Sequence, residues 1–383
     1  MNDGLNYRPI LLAVAVATAG VLPAFLTGGL AVQIRSEMHF GVGDLGLLVA
    51  AFFVSSALSS ALFGRLVERI GSHRGMRAAA LASAASLLCV ALLARSWGGL
   101  LVCLIFGGFA NAVSQPATHL SLAREVPPER QGLSFGIKQA AIPTATLLAG
   151  LAVPVVAITV GWRWAFAGAA ALALIVALLV PAETLGGVSR VKKGRAGDAH
   201  TRPLVLLAFG IGLGSMAATP LGAFISGAAV SEGLRAGTAG LLLALGSATG
   251  ITVRVLFGIL ADRMNSGRLR LVSGMLVVGA VGFALLASGI HGLLVVGTLL
   301  AFGAGWGWPG LFNFAIVRTN PGAPAAATGI TQTGASGGAA IGPLVFGFLV
   351  EATSHNTAWM APVATAVAAA GAILVGRSLL VQD

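Results

Sequence analysis

Long apolar stretches separated by short charged segments constrain this chain more than any other feature. A helix needs about 20 apolar residues to cross the hydrocarbon core of a bilayer, and runs of that length recur from residue 10 to residue 377. The sequence is 57% hydrophobic and 9% charged, whereas soluble domains carry about 25% charged residues. Polar and apolar residues do not alternate within the runs, which favours spanning helices over barrel strands.

The apolar runs predict an all-α integral membrane protein with twelve transmembrane helices. The first run is not followed by a cleavage site, so we expect it to be a spanning helix rather than a removed signal peptide. The predicted spans are 10–33, 44–63, 77–95, 98–122, 132–158, 162–181, 203–228, 238–257, 270–290, 292–317, 325–350 and 358–377.

The second half of the sequence repeats landmarks of the first half. The charged run Gly64–Arg74, GRLVERIGSHR, corresponds to Gly258–Arg263, GILADR, and 258 − 64 = 194. Three further pairs keep this order at a spacing of 193 or 194: Gly43 and Gly46 with Gly237 and Gly240, Pro116 with Pro309, and Gly136–Gln139 with Gly329–Gln332. The repeat predicts two six-helix halves, residues 1–181 and 203–383, joined by a flexible basic linker at 182–202.

The distribution of Lys and Arg predicts the orientation. If the N-terminus is cytoplasmic, 18 of these residues fall on the cytoplasmic side and only Arg35, Arg95, Arg163 and Arg235 on the other. This bias predicts a multi-pass protein of the cell inner (plasma) membrane, in contact with membrane lipid, with both termini in the cytoplasm. The net charge of +11 is dispersed without a basic and aromatic stripe, so nucleic acid is not an expected partner.

The architecture and the repeated charged run resemble the major facilitator superfamily of transporters. The family pattern after helix 2 is Gly, then Asp-Arg four residues on, then Gly and a basic pair. Gly64, Arg69, Gly71 and Arg74 match it, whereas Glu68 replaces the Asp. In the second copy Gly258, Asp262 and Arg263 match, and Met264-Asn265 interrupts the pattern before the following Gly.

The resemblance implies that these charged runs are loops which latch the cytoplasmic side while the cavity faces outward. Glycines would let neighbouring helices approach, and the acids would bind helix N-termini or Arg. The alternative is that the charges only set topology and cap helices. The predicted latch residues are Gly64, Glu68, Arg69, Arg74, Arg254, Gly258, Asp262 and Arg263.

Lys138 is predicted to lie inside the fifth span, about 9 Å from its start at 1.5 Å per residue. A charge at such a place is costly unless it faces protein or a water-filled cavity. It can serve as a counter-charge for an anionic substrate, or its long side chain can reach back to the membrane interface. Its repeat mate is Thr331, so the charge belongs to one half only.

Polar and aromatic residues near Lys138 complete the predicted substrate site. The resemblance implies a cavity lined by helices 1, 4, 7 and 10, with contributions from helices 5 and 11. Amides can bond a carboxylate, and Trp offers a flat apolar wall; the alternatives are interhelical bonding and packing. The predicted substrate-binding residues are Lys138, Gln139, Asn111, Gln115, Asn313, Gln332 and Trp306.

Two further residue types carry expectations. His119 is expected to be hydrogen-bonded at an interface rather than to relay protons. Cys89 and Cys103 lie within apolar runs and are expected to be small buried side chains, without a disulfide or a metal. Prolines inside spans are expected to kink them: Pro23, Pro143, Pro154, Pro220 and Pro343.

None of the acidic residues is predicted to lie in the middle of a span, which argues against a cationic substrate. We therefore expect a secondary transporter that moves a small organic anion, of carboxylate type, by alternating access, as a functional monomer; a coupling ion is left open. The alternative is efflux of amphipathic drugs or metabolites. No catalytic arrangement, no metal site and no nucleotide-binding loop are present in the sequence, so neither an enzyme nor a cofactor is expected.

Overall fold

The computed structural model describes residues 7–127, 131–181, 201–264, 266–320 and 324–382. Within these residues, twelve helices are long and apolar enough to cross a membrane, which confirms the predicted fold class. They are α1 Arg8–Gly29, α2 Val42–Ile70, α3 Ser72–Leu93, α4 Trp97–Glu125, α5 Gly136–Ala157, α6 Trp162–Leu179, α7 Arg202–Ser231, α8 Ala236–Ala261, α9 Arg268–Ala287, α10 His291–Thr319, α11 Ala327–Ala352 and α12 His355–Leu380. A short helix, Ala31–Met38, follows α1.

Most residues of the repeated charged runs are helical rather than loops, contrary to the sequence prediction. Gly64–Ile70 and Gly258–Arg263 form the last turns of the helices that contain α2 and α8, Gly71 alone connects α2 to α3, and Ser72–Arg74 begin α3. Helix α2 has 29 residues and ends at Ile70, and the helix that contains α8 continues to Arg263. At 1.5 Å per residue, α2 is roughly 43 Å long, more than the about 30 Å of hydrocarbon. Its charged last turns can therefore extend beyond the hydrocarbon. The helix passes straight through Gly64, where a Cβ would meet nothing within 4 Å, so Gly64 neither ends a helix nor permits a close approach.

Helix α5 is interrupted next to Lys138. One helical segment ends at Lys138, and the next begins at Ala141 and ends at Ala152. Pro143 lies four residues after Gln139 and has no N–H, so the Gln139 carbonyl has no helical donor. A π-helical turn, Val153–Ala157, follows and contains Pro154.

Helix α10 is interrupted in a similar way around Trp306. A π-helical turn, Ala301–Gly305, is followed by a turn, and a helix begins again at Pro309. Pro309 cannot donate to the Gly305 carbonyl, which instead accepts a bond of 2.8 Å from Trp308 Nε1. The other predicted kink sites, Pro23, Pro220 and Pro343, lie within uninterrupted helices.

Cys89 and Cys103 form a disulfide between α3 and α4, contrary to the sequence prediction. Their Cα atoms are 5.8 Å apart. The two helices form a hairpin whose connection contains Ser96, and each cysteine lies seven residues from it (96 − 89 = 7 and 103 − 96 = 7). The hairpin therefore places the two side chains opposite each other.

The two halves approach each other most closely at one end of the bundle. We call the end that carries Arg69, Arg124 and Arg263 the basic end, and the end that carries Arg35, Arg163 and Arg235 the opposite end. Near the opposite end, a Cβ on Gly28 of α1 would lie 2.4 Å from the Cα of Ala223 on α7. A Cβ on Gly150 of α5 would lie 2.6 Å from backbone atoms of Gly240 and Ala244 on α8. The halves are thus in backbone contact at this end.

A polar contact adds to this closure. The Glu351 carboxylate on α11 accepts a bond of 3.1 Å from the Gly43 N–H at the start of α2, a favourable position for an acid. The division into two halves at 182–202 stays a prediction, because residues 182–200 lie outside the described residues. Thr201 and Arg202 begin the helix that contains α7.

Candidate functional site

A chain of hydrogen-bonded side chains runs through the first half and ends at Lys138. Asn111 on α4 donates to Ser56 Oγ on α2 at 2.9 Å. Gln115, one turn after Asn111, donates to Asn111 Oδ1 at 3.3 Å. Gln115 Oε1 in turn accepts from Lys138 Nζ at 2.5 Å. The predicted site residues Asn111, Gln115 and Lys138 therefore lie together.

Lys138 is held inside the protein. Its side chain is 3% exposed and points at α4, where Nζ also lies 3.1 Å from His119 Nε2. This position contradicts the alternative in which the side chain reaches the membrane interface. It also shows that His119 is hydrogen-bonded, as expected, and that Lys138 of the candidate site is a partner.

Arg254 on α8 is a second buried cation. It is 3% exposed, and Nε and Nη2 donate to the Trp306 carbonyl at 3.2 and 2.6 Å. Its Nη1 donates to the Gln139 carbonyl, the one that the break in α5 leaves without a helical donor. Arg254 thus joins the interruptions of α5 and α10, and it does so across the two halves. This place differs from the latch to which the sequence prediction assigned it.

Two basic side chains, Lys138 and Arg254, lie at the centre of the molecule without a carboxylate partner among the described residues. Among the residues described, neither Lys138 nor Arg254 forms an ion pair; their partners are an amide, an imidazole and two carbonyls. The described acids all lie in terminal turns or connections, in agreement with the sequence prediction. A buried cation with only neutral partners is costly, so the arrangement is suited to an anion.

The remaining predicted substrate residues are placed differently. The Gln139 and Trp306 carbonyls bind Arg254, and the Trp306 ring lies 5.7 Å from the Phe25 ring of α1, in the other half. Asn313 is half-buried and Gln332 is exposed, and the described hydrogen bonds join neither of them to the chain that ends at Lys138. The binding role of all these residues stays a prediction.

The predicted latch residues lie at the basic end. The side chains of Glu68, Arg69, Arg74 and Arg263 are exposed, and that of Asp262 lies outside the described residues. Gly258 faces α5, because a Cβ on Gly136 would be in ordinary van der Waals contact with its Cα, at 3.9 Å. The resemblance implies a latch only when the cavity faces outward, whereas here the opposite end is shut, so the latch stays a prediction.

Sequence reasoning missed the central place of Arg254 and the contribution of Ser56. Arg254 lies within the predicted span 238–257, so the argument from membrane depth that singled out Lys138 applied to it equally. We assigned Arg254 to the latch instead, because it lies one turn before Gly258, where the second charged run begins. Ser56 belongs to the run Ser55–Ser60, SSALSS, which is unusually polar for a spanning helix.

Comparisons with known proteins agree with this architecture. The family model described as Major Facilitator Superfamily matches residues 10–291. The chain is 27% identical over 351 residues to "Uncharacterized transporter YycB" of Bacillus subtilis, covering 88% of this chain and 84% of the relative. It is 27% identical over 381 residues to "Chloramphenicol resistance protein" of Streptomyces lividans, covering 94% of this chain and 93% of the relative.

The fold is also similar to that of a solved transporter. A bacterial homologue of the human lysosomal transporter Spinster, in an inward-facing and occupied conformation, superposes with a TM-score of 0.76 over 98% of each chain. The two sequences are 16% identical, so this likeness bears on the fold alone.

Proposed function

Because the chain belongs to the major facilitator superfamily of membrane transporters, we propose that it moves a small organic anion across the plasma membrane by alternating access. The carboxylate of the substrate binds Lys138, and Gln115 and Asn111 orient it. The two halves then rock about this site, which opens it to one side of the membrane at a time. Both termini face the cytoplasm, as the distribution of Lys and Arg favours.

The observation that carries the proposal is the burial of Lys138 with only neutral partners. Amide and imidazole groups satisfy its hydrogen bonds but leave its charge without a counter-ion. A carboxylate adds to the hydrogen bond a Coulomb attraction that a neutral amide or imidazole cannot supply, and this attraction is stronger in the protein interior than in water. A carboxylate that enters the site therefore gains more from Lys138 than the present partners do, whereas a cation would be repelled.

The test is thermal unfolding of the purified protein with small carboxylates, using Lys138→Gln and the control Arg124→Gln, which removes an exposed charge at the basic end. At a hundredfold excess over Kd, a ligand stabilises the folded state by about 2.7 kcal/mol. We expect carboxylates to raise Tm of the wild type and of Arg124→Gln but not of Lys138→Gln. Equal stabilisation of Lys138→Gln would contradict the role of Lys138.

Efflux of amphipathic compounds is the second candidate, and the Streptomyces lividans relative favours it because its name specifies chloramphenicol resistance. The same assay separates the two functions. If chloramphenicol stabilises the wild type and Lys138→Gln equally and carboxylates stabilise neither, efflux is the better account.

A further inference from the structure

Lys138 and Arg254 lie on opposite halves and are connected through one residue. Arg254 of α8 binds the carbonyl of Gln139, which directly follows Lys138 on α5. We propose that Arg254 is a second anion-binding group and that the substrate is a dianion, with one anionic group at Lys138 and the other at Arg254. This inference rests on the proposed function and narrows its substrate to dicarboxylates and comparable dianions.

The present partners of Arg254 are ones that a carboxylate can displace. Three of its N–H groups reach two backbone carbonyls, and both carbonyls lie at helix interruptions. A guanidinium fork matches a carboxylate in a bidentate geometry, and the carboxylate adds a Coulomb attraction that a neutral carbonyl lacks. The Gln139 carbonyl has no helical donor, because Pro143 lies four residues after it, so its release from Arg254 breaks no hydrogen bond within α5.

The number of charges argues for two anionic groups rather than one. Lys138 and Arg254 are both nearly fully buried, and in the described part of the chain neither forms a salt bridge. A monoanion neutralises one of them and leaves the other as an uncompensated buried charge, the costly arrangement in a low-dielectric interior. A dianion neutralises both at once, so we expect dianions to bind more tightly than monoanions of the same size.

The position of the two cations gives this specificity a role in transport. Lys138 belongs to the first half, whereas Arg254 and the Trp306 carbonyl that it binds belong to the second. A dianion that binds both cations contacts both halves and so stabilises the form in which the halves are closed around it. A monoanion makes only one of these contacts and so gives less energy for closing the halves.

The experiment compares each dicarboxylate with the monocarboxylate of the same carbon number: oxalate with acetate, malonate with propionate, succinate with butyrate, and glutarate with pentanoate. Affinities are measured by calorimetry at pH 7, where these diacids are dianionic. The proteins are the wild type, Arg254→Gln, Arg254→Lys and the control Arg124→Gln. The measured quantity is the ratio of the two affinities within each pair.

We expect the wild type and Arg124→Gln to bind at least one dicarboxylate about tenfold or more tightly than its monocarboxylate partner, since each 1.4 kcal/mol is tenfold in affinity. Arg254→Gln should bring this ratio close to one, and Arg254→Lys, which keeps the charge but not the fork, should restore part of it. A purely structural role for Arg254 would lower both affinities together and leave the ratio unchanged.

The outcomes separate this inference from the proposed function. If the wild type binds mono- and dicarboxylates equally, the dianion inference is wrong while anion transport stands; this comparison needs no variant and does not depend on how the variants fold. If Arg254→Gln keeps the wild-type ratio, Arg254 is not the second group. If no carboxylate of either kind binds, the proposed function fails and the inference fails with it.

Discussion

The two halves of this transporter meet in two chemically different ways. At the opposite end, glycines bring the backbones into contact, and an acid from one half caps a helix of the other, as Glu351 does at Gly43. At the centre, the buried cation Arg254 crosses the interface, the buried cation Lys138 lies beside it, and the described partners of both are neutral. The contacts at the opposite end thus include carboxylates, whereas none of the described residues supplies a carboxylate to Lys138 or Arg254 at the centre.

The difference is clearest in how cations are paired. At the opposite end, Arg163 forms an ion pair of 2.6 Å with Glu37, and Trp162 Nε1 donates to the same carboxylate at 2.7 Å. At the centre, Lys138 and Arg254 have no such acid among the described residues. This contrast supports the proposal that the two interior cations bind an anionic ligand.

The largest expected effect comes from breaking the backbone contact at the opposite end with Gly150→Val. The added carbon would lie 2.6 Å from backbone atoms of α8, which cannot rotate away. Overpacking of this kind costs about 1–3 kcal/mol, which corresponds to about a fivefold to 150-fold shift away from the closed form. Spin labels at Ser36 and Ser231, one on each half, should report a larger distance across this end.

The control for Gly150→Val is Gly168→Val. Gly168 is in α6, and a Cβ there would meet nothing within 4 Å. This variant should keep the wild-type distance between the labels. A wild-type distance in Gly150→Val as well would show that the glycine contact does not decide which form is populated.

The second prediction concerns a variant that gives Lys138 a carboxylate partner, as Arg163 has at the opposite end. Gln115→Glu places a carboxylate where the Gln115 amide now accepts from Lys138 at 2.5 Å. The new acid should occupy Lys138 and compete with the substrate anion, so carboxylate binding should weaken about tenfold, the equivalent of 1.4 kcal/mol. Titration calorimetry measures this change directly.

The matched variant Gln115→Leu removes the same hydrogen bond without adding charge. If the competition argument is correct, Gln115→Leu weakens carboxylate binding less than Gln115→Glu does. Equal effects of the two substitutions would mean that the hydrogen bond of Gln115, rather than the free charge of Lys138, sets the affinity.

The fold could be predicted from the sequence to the extent that it depends on local apolar length. All twelve spans were predicted because each run of apolar residues is sufficient by itself to indicate a helix. The last turns of α2 and α8 were missed because hydropathy detects only the part of a helix that lies in hydrocarbon. Gly64 to Ile70 is charged, and its helical state comes from continuation of α2, which a polar sequence does not reveal.

The candidate site could be predicted only in part, because its bonds join residues that are distant in sequence. Asn111 and Gln115 share a helix face, which their spacing reveals. The bond from Arg254 to the Gln139 carbonyl spans 115 residues and depends on a carbonyl left without a donor by Pro143. No single-sequence pattern relates these two positions, so Arg254 was assigned by motif similarity rather than by its contacts.

The smallest expected effect concerns the ion pair at the opposite end. The Glu37 side chain is 49% exposed and that of Arg163 is 23% exposed, so solvent screens the pair and we expect it to contribute about 0.2–1 kcal/mol. Glu37→Gln removes the charge while keeping an oxygen for Trp162. Thermal unfolding at pH 7 should show a slightly lower Tm for Glu37→Gln, without a change in the affinity ratio between di- and monocarboxylates.

The pH dependence of the Tm difference between the wild type and Glu37→Gln tests whether the Glu37 carboxylate acts through its charge. The hydrogen bond from Arg163 holds the pKa of Glu37 below its ordinary value. A lowered carboxyl pKa contributes stability that is present above the unfolded pKa and is lost as the pH falls through the folded one. The Tm difference between the wild type and Glu37→Gln should therefore persist at pH 6 to 7, begin to shrink near the ordinary Glu pKa of about 4.3, and disappear once the pH is below the pKa of Glu37 in the folded protein. Glu232→Gln, which removes a charge from the same end without breaking a described ion pair, is the control. A Tm difference for Glu37→Gln that is unchanged in acid would mean that the carboxylate acts through packing rather than charge, and the two regions would then differ less than their contacts indicate.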